Sequence, residues 1–529
     1  MVKIDLTLPL KYNSATVAEK IREVLKIPAD EIKEPVILRR TLTLGESEAY
    51  YKCTVAFSAS SEREAGLLKM RNRVFPHTPA CWQSPVYRSS VRPVVVGAGP
   101  AGLFAALALA EAGARPIVLE RGEAVEDRAK TVSAFHLTGR LNPESNVQFG
   151  EGGAGTYSDG KLKVGSMDVF KWKVLSEFIL AGAGEEIAYS TSAHLGTDCL
   201  GGIVCRIREK IKALGGEFLF CARLLDLVIS DGKIQGVKYM KDGCENLLYT
   251  SAVILATGHS ARDVLYMLRH HGIEMVAKGF GIGMRIEHPR EYINSIVYGK
   301  FSADIAETAS YHLVTHLPNG RSVYSFCMCP GGTVVAATGS DCSLVTNGMS
   351  ELDRMGDNSN AALLVSMTPA DFGTDPFSGI AFQKSIEERA YSLTESYRAP
   401  AQTLENLLHG TPTVFRGVKP SYPLGVESVS AEKYLPQSVT ESLRGAFSDF
   451  DSWLHGYLYP EAVLTGPETR TTSPVRILRD ENSYECPTAL GLYPAGEGAG
   501  YSGGIVSSAV DGLRAALHLV ERYGGAELR

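Results

Sequence analysis

Apolar and polar side chains alternate along the first residues. Val2, Ile4, Leu6 and Leu8 share one face, which predicts a half-buried strand. Val17, Ile21, Val24 and Leu25 then recur at helical spacing and predict a short amphipathic helix. Residues 35–44 and 50–57 read as two further strands. The order βαββ predicts a small α+β module over residues 1–88. Pro76, Pro79, Pro85 and Pro93 mark a linker behind it.

From Pro93 the pattern changes. Val94, Val95 and Val96 make a short buried strand, residues 102–112 a helix, and residues 116–120 a second strand. A helix over 197–214 and a strand over 217–221 follow. Turns at Asp231-Gly232 and Asp242-Gly243 then lead to a buried strand at 253–256. Residues 491–523 hold a strand, a glycine-rich turn and a last helix, while 263 to about 480 lack this rhythm. The expected fold is α/β. A Rossmann-like nucleotide-binding domain (89–262 and 485–529) carries a large inserted α+β substrate domain (263–484) and the N-terminal βαββ module (1–88).

Composition narrows the function. The 529 residues are 44% hydrophobic and 21% charged, an ordinary globular balance that supports packed cores. A net charge of −6 with no basic stripe argues against nucleic-acid or anionic-membrane binding. The apolar run 94–110 is broken by Gly97, Gly99 and Gly102, so strand, turn and helix explain it better than a membrane span. The N-terminus has no basic start with an apolar run, so no signal peptide is expected. Ten cysteines without C-x-x-C or metal spacing suggest a reduced, cytoplasmic protein with no metal site.

Gly97-Ala98-Gly99-Pro100-Ala101-Gly102 stands between an apolar strand and an apolar helix, and Glu120 closes the next strand, with Arg121 beside it. This is the context of a dinucleotide fingerprint. Gly97 allows the tight turn, Gly99 the approach of pyrophosphate, and Gly102 close helix–strand packing. The helix N-terminus favours phosphate, and Glu120 suits ribose hydroxyls. The fingerprint alone does not separate FAD from NAD. Two distant glycine-rich loops favour FAD, because an extended flavin dinucleotide needs them. One holds Gly153, Ala154, Gly155 and Thr156, followed by Lys161 and Leu162; the other holds Gly496, Glu497, Gly503, Gly504 and Ile505 at the start of the last helix. Thr257 and Gly258, at the end of a buried strand, are expected beside the same cofactor.

Further stretches carry a family resemblance. They include 146–155, His194-Leu195-Gly196-Thr197-Asp198, 256–263, Arg285-Ile286-Glu287-His288-Pro289, 325–332, Asn347-Gly348-Met349-Ser350 and 468–476. With the terminal loop, these resemble the uncharacterised FAD-dependent dehydrogenase family of two-dinucleotide-fold flavoproteins, from about Pro93 to Gly512. The resemblance implies FAD and a redox role but names no substrate. In the N-terminal module the family pattern of Arg-Ser-aliphatic-Asp and a basic stretch is replaced by Arg40-Thr41-Leu42-Thr43-Leu44.

The reaction expected is hydride transfer between a small, anionic organic substrate and flavin N5. Arg470 and Arg476 suit a carboxylate or phosphate, or an ion pair between domains. Arg285 and His288 follow a strand-like stretch. His288 is a candidate proton donor or a structural histidine, and His259 lies at a strand end near the cofactor. Cys327 and Cys329 fall on one strand face, as a thiol pair or as small hydrophobes. Gly279-x-Gly281-x-Gly283 lacks the fingerprint spacing, so no second nucleotide domain is expected. An NAD(P)H-dependent monooxygenase or reductase, and a flavin-holding scaffold protein, are the alternatives.

Overall fold

Val94, Val95 and Val96 are almost wholly buried, and they form the middle strand of a five-stranded sheet. The computed structural model describes residues 1–70, 73–162 and 168–524. The sheet runs Leu492–Pro494, Val253–Leu255, Val94–Val96, Ile117–Leu119 and Glu217–Leu219, and every neighbouring pair is parallel. Such a sheet is covered on both faces, which explains why its strands read as continuous apolar runs. The helix Pro100–Glu111 is buried from Ala101 to Ala110, apolar all round, and packs against the last helix, Ile505–Gly524.

A three-stranded meander, Arg223–Ser230, Lys233–Lys241 and Cys244–Tyr249, follows the helix Thr197–Ala213. Both of its turns have positive φ at the Asp and the Gly, as a type I′ hairpin requires.

Residues 280–468 contribute a seven-stranded sheet that lies in sequence between two neighbouring strands of the parallel sheet. Its order is Val314–His316, Ser322–Cys329, Asn358–Met367, Phe280–Pro289, Val463–Glu468, Ala399–Thr403 and Val426–Ser428. The Gly279-x-Gly281-x-Gly283 stretch runs into the buried central strand Phe280–Pro289, so Arg285 and His288 lie on that strand and do not follow it.

The N-terminal module carries more than the expected βαββ. A helix, Ser61–Leu67, and a strand, Val74–Pro76, complete a split βαβ arrangement, βαββαβ. Its sheet runs Lys33–Leu44, Ala49–Ser58, Val2–Pro9, Val74–Pro76. Val17, Ile21 and Leu25 face its core, whereas Val24 is largely exposed, one step off the buried stripe. The module meets the nucleotide-binding part through Arg40, whose backbone exchanges hydrogen bonds with Tyr189 and Thr191. No described helix is long and apolar enough to cross a membrane.

Candidate functional site

The strand ending at Val96 must turn at once into a helix. Gly97 makes that turn at φ +98°, and a Cβ there would lie 2.3 Å from the Ala256 carbonyl oxygen. Gly102 packs so closely that its Cβ would lie 1.8 Å from the carbonyl oxygen of Gly97. The helix begins after Gly99 with no side-chain cap, so the first-turn N–H groups and the positive end of the helix dipole stay available.

Glu120 ties three loops together. Its buried carboxylate accepts N–H bonds from Ala98 at 2.8 Å, Gly122 at 2.9 Å and Gly150 at 3.0 Å. The 146–151 loop is held from behind by Arg128, which is fully buried. Arg128 donates to the carbonyls of Asn146, Val147 and Glu151 at 2.9, 3.0 and 2.6 Å. No sequence pattern pointed to Arg128, because a buried arginine interrupts its helix's apolar face.

These loops surround a cavity of about 420 Å³, within the ~300–1,000 Å³ usual for ligand sites. From the predicted cofactor set, Gly97, Gly99, Pro100 and Ala101 line it at the fingerprint, and Glu120 and Arg121 at the next strand end. Gly153, Ala154, Gly155 and Lys161 line it from the second loop, and Thr257 and Gly258 from the strand end. Gly496, Glu497, Gly503, Gly504 and Ile505 complete it from the far end of the chain. Added Cβ atoms at Gly258 and Gly503 meet nothing within 4 Å, so the backbone there faces open room.

Three residues of that set lie off the cavity wall. Gly102 is one, consistent with its packing role. Thr156 is buried, with its carbonyl accepting from the Thr197 hydroxyl. Leu162 belongs to the hydrophobic core beneath the loop.

The candidate catalytic residues divide similarly. Arg470 and His259 line the cavity. The Arg470 guanidinium is nonetheless committed to the fully buried Glu387, at 2.9 and 3.1 Å, and to Ser260 at 3.2 Å. It is not a free clamp for an incoming anion. His259 Nδ1 lies 3.2 Å from Glu497 Oε1, and its buried Nε2 has no partner.

Arg476 is exposed and off the wall. It donates to the Gly500 carbonyl at 3.3 Å and lies over Tyr501, so it organises the terminal loop. His288 is fully buried in the large sheet and bonded to the Tyr457 carbonyl at 3.1 Å. Burial pushes it down to about 4, so it is a neutral structural group and not a proton donor at the cavity.

Arg285 is also off the wall, but it acts on it. Fully buried, it binds Glu468 at 2.5 and 3.1 Å, the Cys327 carbonyl at 2.8 Å and Asn347 at 2.6 Å. All three partners line the cavity.

Glu468 is the group that sequence reasoning missed. It is buried, and burial pushes its carboxyl up to about 7 against the pull of Arg285. Perturbed carboxyls in clefts are candidates for proton transfer. Lys161 also faces the cavity. Among the described residues its Nζ makes no hydrogen bond, and it forms an ion pair with Asp159 at 3.5 Å. The described residues contain no cluster of ligands for a metal ion.

Residues 92–135 match an FAD binding domain, and residues 279–471 match the family described as FAD-dependent protein, C-terminal domain-like. A protein of Clostridium beijerinckii, itself described only as uncharacterized, is 47% identical over 439 residues, which is 82% of this chain and 81% of that one.

The chain belongs to this FAD-dependent protein family.

FAD is therefore its cofactor, and its chemistry is flavin redox chemistry. Solved structures resemble the FAD-dependent protein more distantly. The flavin-dependent brominase Bmp2 is 10% identical with a TM-score of 0.38, over 83% of this chain and 80% of that one. A flavoprotein/dehydrogenase from Cytophaga hutchinsonii is 12% identical with a TM-score of 0.36, over 83% and 80%. Likenesses this remote bear on neither substrate nor reaction.

The glycine geometry makes a direct prediction for the FAD-dependent protein. Gly102→Ala is expected to give folded protein that purifies without yellow colour, because its Cβ must push the fingerprint turn away from the helix. The ratio of flavin absorbance to protein absorbance checks this, and an unchanged ratio would contradict it.

Proposed function

We propose that this protein is an FAD-dependent dehydrogenase that moves a hydride between a small anionic organic substrate and its flavin. One observation carries the reading: a single cavity has two kinds of wall. Nucleotide-binding loops form one, and Phe326, Cys327, Asn347, Glu468, Arg470 and Thr471 form the other. The second set comes from 263–484, read here as a substrate domain inserted into a nucleotide-binding domain of 89–262 and 485–529.

In this reading the helix N-terminus after Gly99 holds pyrophosphate and Glu120 the adenosine ribose. The 153–155 loop, Glu497 and the turn at 503–505 hold the flavin half. Bound there, FAD supplies hydride acceptance and donation. Glu468 takes the proton that leaves the substrate, and Arg285 fixes the orientation of Glu468, Asn347 and the Cys327 backbone. Lys161 binds the substrate anion, the role first expected of Arg470.

The test is anaerobic. A panel of small carboxylate- and phosphate-bearing metabolites is added to the holoprotein, and bleaching of the flavin band is followed. At least one is expected to bleach it. Lys161→Ala should raise the concentration required about ten- to a hundredfold, the worth of one charge-assisted hydrogen bond. If no member reduces the flavin or shifts its spectrum, the dehydrogenase reading is wrong.

A further inference from the structure

Cys327 and Cys329 lie on the strand Ser322–Cys329, with Cys327 at the wall of the same cavity and Cys329 buried beneath it. In a regular strand, residues two apart are separated by about 6.4–6.8 Å, at the upper limit for a disulfide. This strand is not regular. Its register against Asn358–Met367 shifts between Phe326 and Cys329, and Cys327 has a left-handed backbone with φ +41°. A bulge of this kind re-aims side chains and breaks their simple alternation. The two thiols therefore do not sit as parallel neighbours on one face.

The surroundings are those of a reactive pair. The Cys329 sulfur lies 3.2 Å from the Cys327 carbonyl oxygen and 3.9 Å from the Arg285 guanidinium. The neighbouring Cys329 thiol, with the positive charges of Arg285 and Lys161, draws Cys327 below the usual thiol range against the effect of burial. The proximity of Cys327, with burial, pushes Cys329 up. Cys327 faces the cavity and is partly exposed, whereas Cys329 is fully enclosed behind it. A cysteine serving only as a small hydrophobe requires neither a left-handed backbone nor a guanidinium beside it. An attacking thiolate with a second thiol behind it is the arrangement of a dithiol–disulfide couple.

We propose that Cys327 and Cys329 form a second two-electron redox centre that exchanges electrons with the FAD. This rests on the reading of the cavity as the flavin site. In the oxidising direction the Cys329 S–H bond breaks and one S–S bond forms. The thiolate–thiol pair loses two electrons and one proton, and FAD takes up both to become its anionic dihydro form. In the reverse direction, the anionic dihydroflavin reduces the disulfide to the thiolate–thiol pair.

Two measurements test the pair. Aerobically oxidised holoprotein is titrated anaerobically with dithionite while flavin absorbance is followed. The wild type is expected to take up about four electrons per FAD, and Cys327→Ser and Cys329→Ser about two, because each variant keeps only the flavin couple. Retained FAD in the serine variants shows that they are folded. Separately, peptide mass mapping after exposure to oxidised glutathione should find residues 327 and 329 joined and lighter by two hydrogens. Both thiols should return to alkylation after reduction. Bound FAD with uptake of about two electrons in the wild type overturns the redox centre alone. Full alkylation of both cysteines after oxidation does the same. A wild type that retains no FAD overturns the flavin-site reading, and this proposal with it.

Discussion

Glu387→Ala is expected to lower the stability of the protein by about 3–5 kcal/mol, the usual cost of removing one partner from a buried ion pair. Glu387 is fully buried and accepts from both guanidinium groups that flank it. Arg470 approaches at 2.9 and 3.1 Å, and Arg262 makes two bonds of 2.9 Å. Ser343 and Thr469 donate to it as well, at 3.2 and 2.8 Å. Alanine would leave two cations without their carboxylate, the buried Arg470 on the cavity wall and the half-buried Arg262.

Burial alone would raise this carboxyl. Arg470 and Arg262 overcome that and hold it far below the usual carboxylate range. A depressed folded-state pKa contributes stability that is present above the unfolded value, 4.5, and is lost as pH falls through the folded one. The wild-type melting temperature should therefore fall in acid more steeply than that of the alanine variant. Thermal melts across pH check both the size and the slope. An alanine variant as stable as wild type at neutral pH would contradict the structure. Arg470→Ala should share part of this loss, so a kinetic defect in that variant would not by itself report on substrate.

Glu468→Gln is expected to slow flavin reduction by substrate about 10²–10⁴-fold, the range for removing a general base. The wild-type rate should rise with pH through about 7, as burial lets go of the proton only there, and the variant should show no such step. Rapid mixing of holoprotein with substrate across pH measures it. A pH step that survives in the variant would assign the proton to another group. The stability signature has the opposite sign to that of Glu387. A raised folded-state pKa contributes stability that is complete below 4.5 and is lost as pH rises through about 7.

The parts that could be read from the chain share a property: their constraint is local. Gly97 and Gly102 are fixed by one turn, and Val94–Val96 by burial on both faces. The hairpin turns at Asp231 and Asp242 are fixed by two residues each. The large sheet was hidden for the same physical reason that made the parallel strands visible. Asn358–Met367 and Phe280–Pro289 are buried almost throughout, so neither alternates. Without a flanking fingerprint, a long buried strand resembles a buried helix in sequence. The electrostatics were also beyond reach. Glu387 pairs with residues 125 and 83 positions away, and Arg285 with a glutamate 183 positions away. Arg470 reads in the sequence as an anion clamp or an ion-pair partner, but the Glu387 that pairs with it has no signature in its own segment.

The position of the strand Leu492–Pro494 has a consequence for biosynthesis. It is the edge of the parallel sheet beside Val253–Leu255, and the turn behind it supplies the last wall of the cavity. During translation the fingerprint emerges early, but its counterpart lies some four hundred residues downstream. A nascent chain therefore carries an open half-cradle until that segment emerges, with a complete seven-stranded sheet encoded in the interval. Flavin capture therefore waits for the segment that closes the cavity, and where the cofactor is short the vulnerable species is a chain whose two distant cradle halves have not yet met.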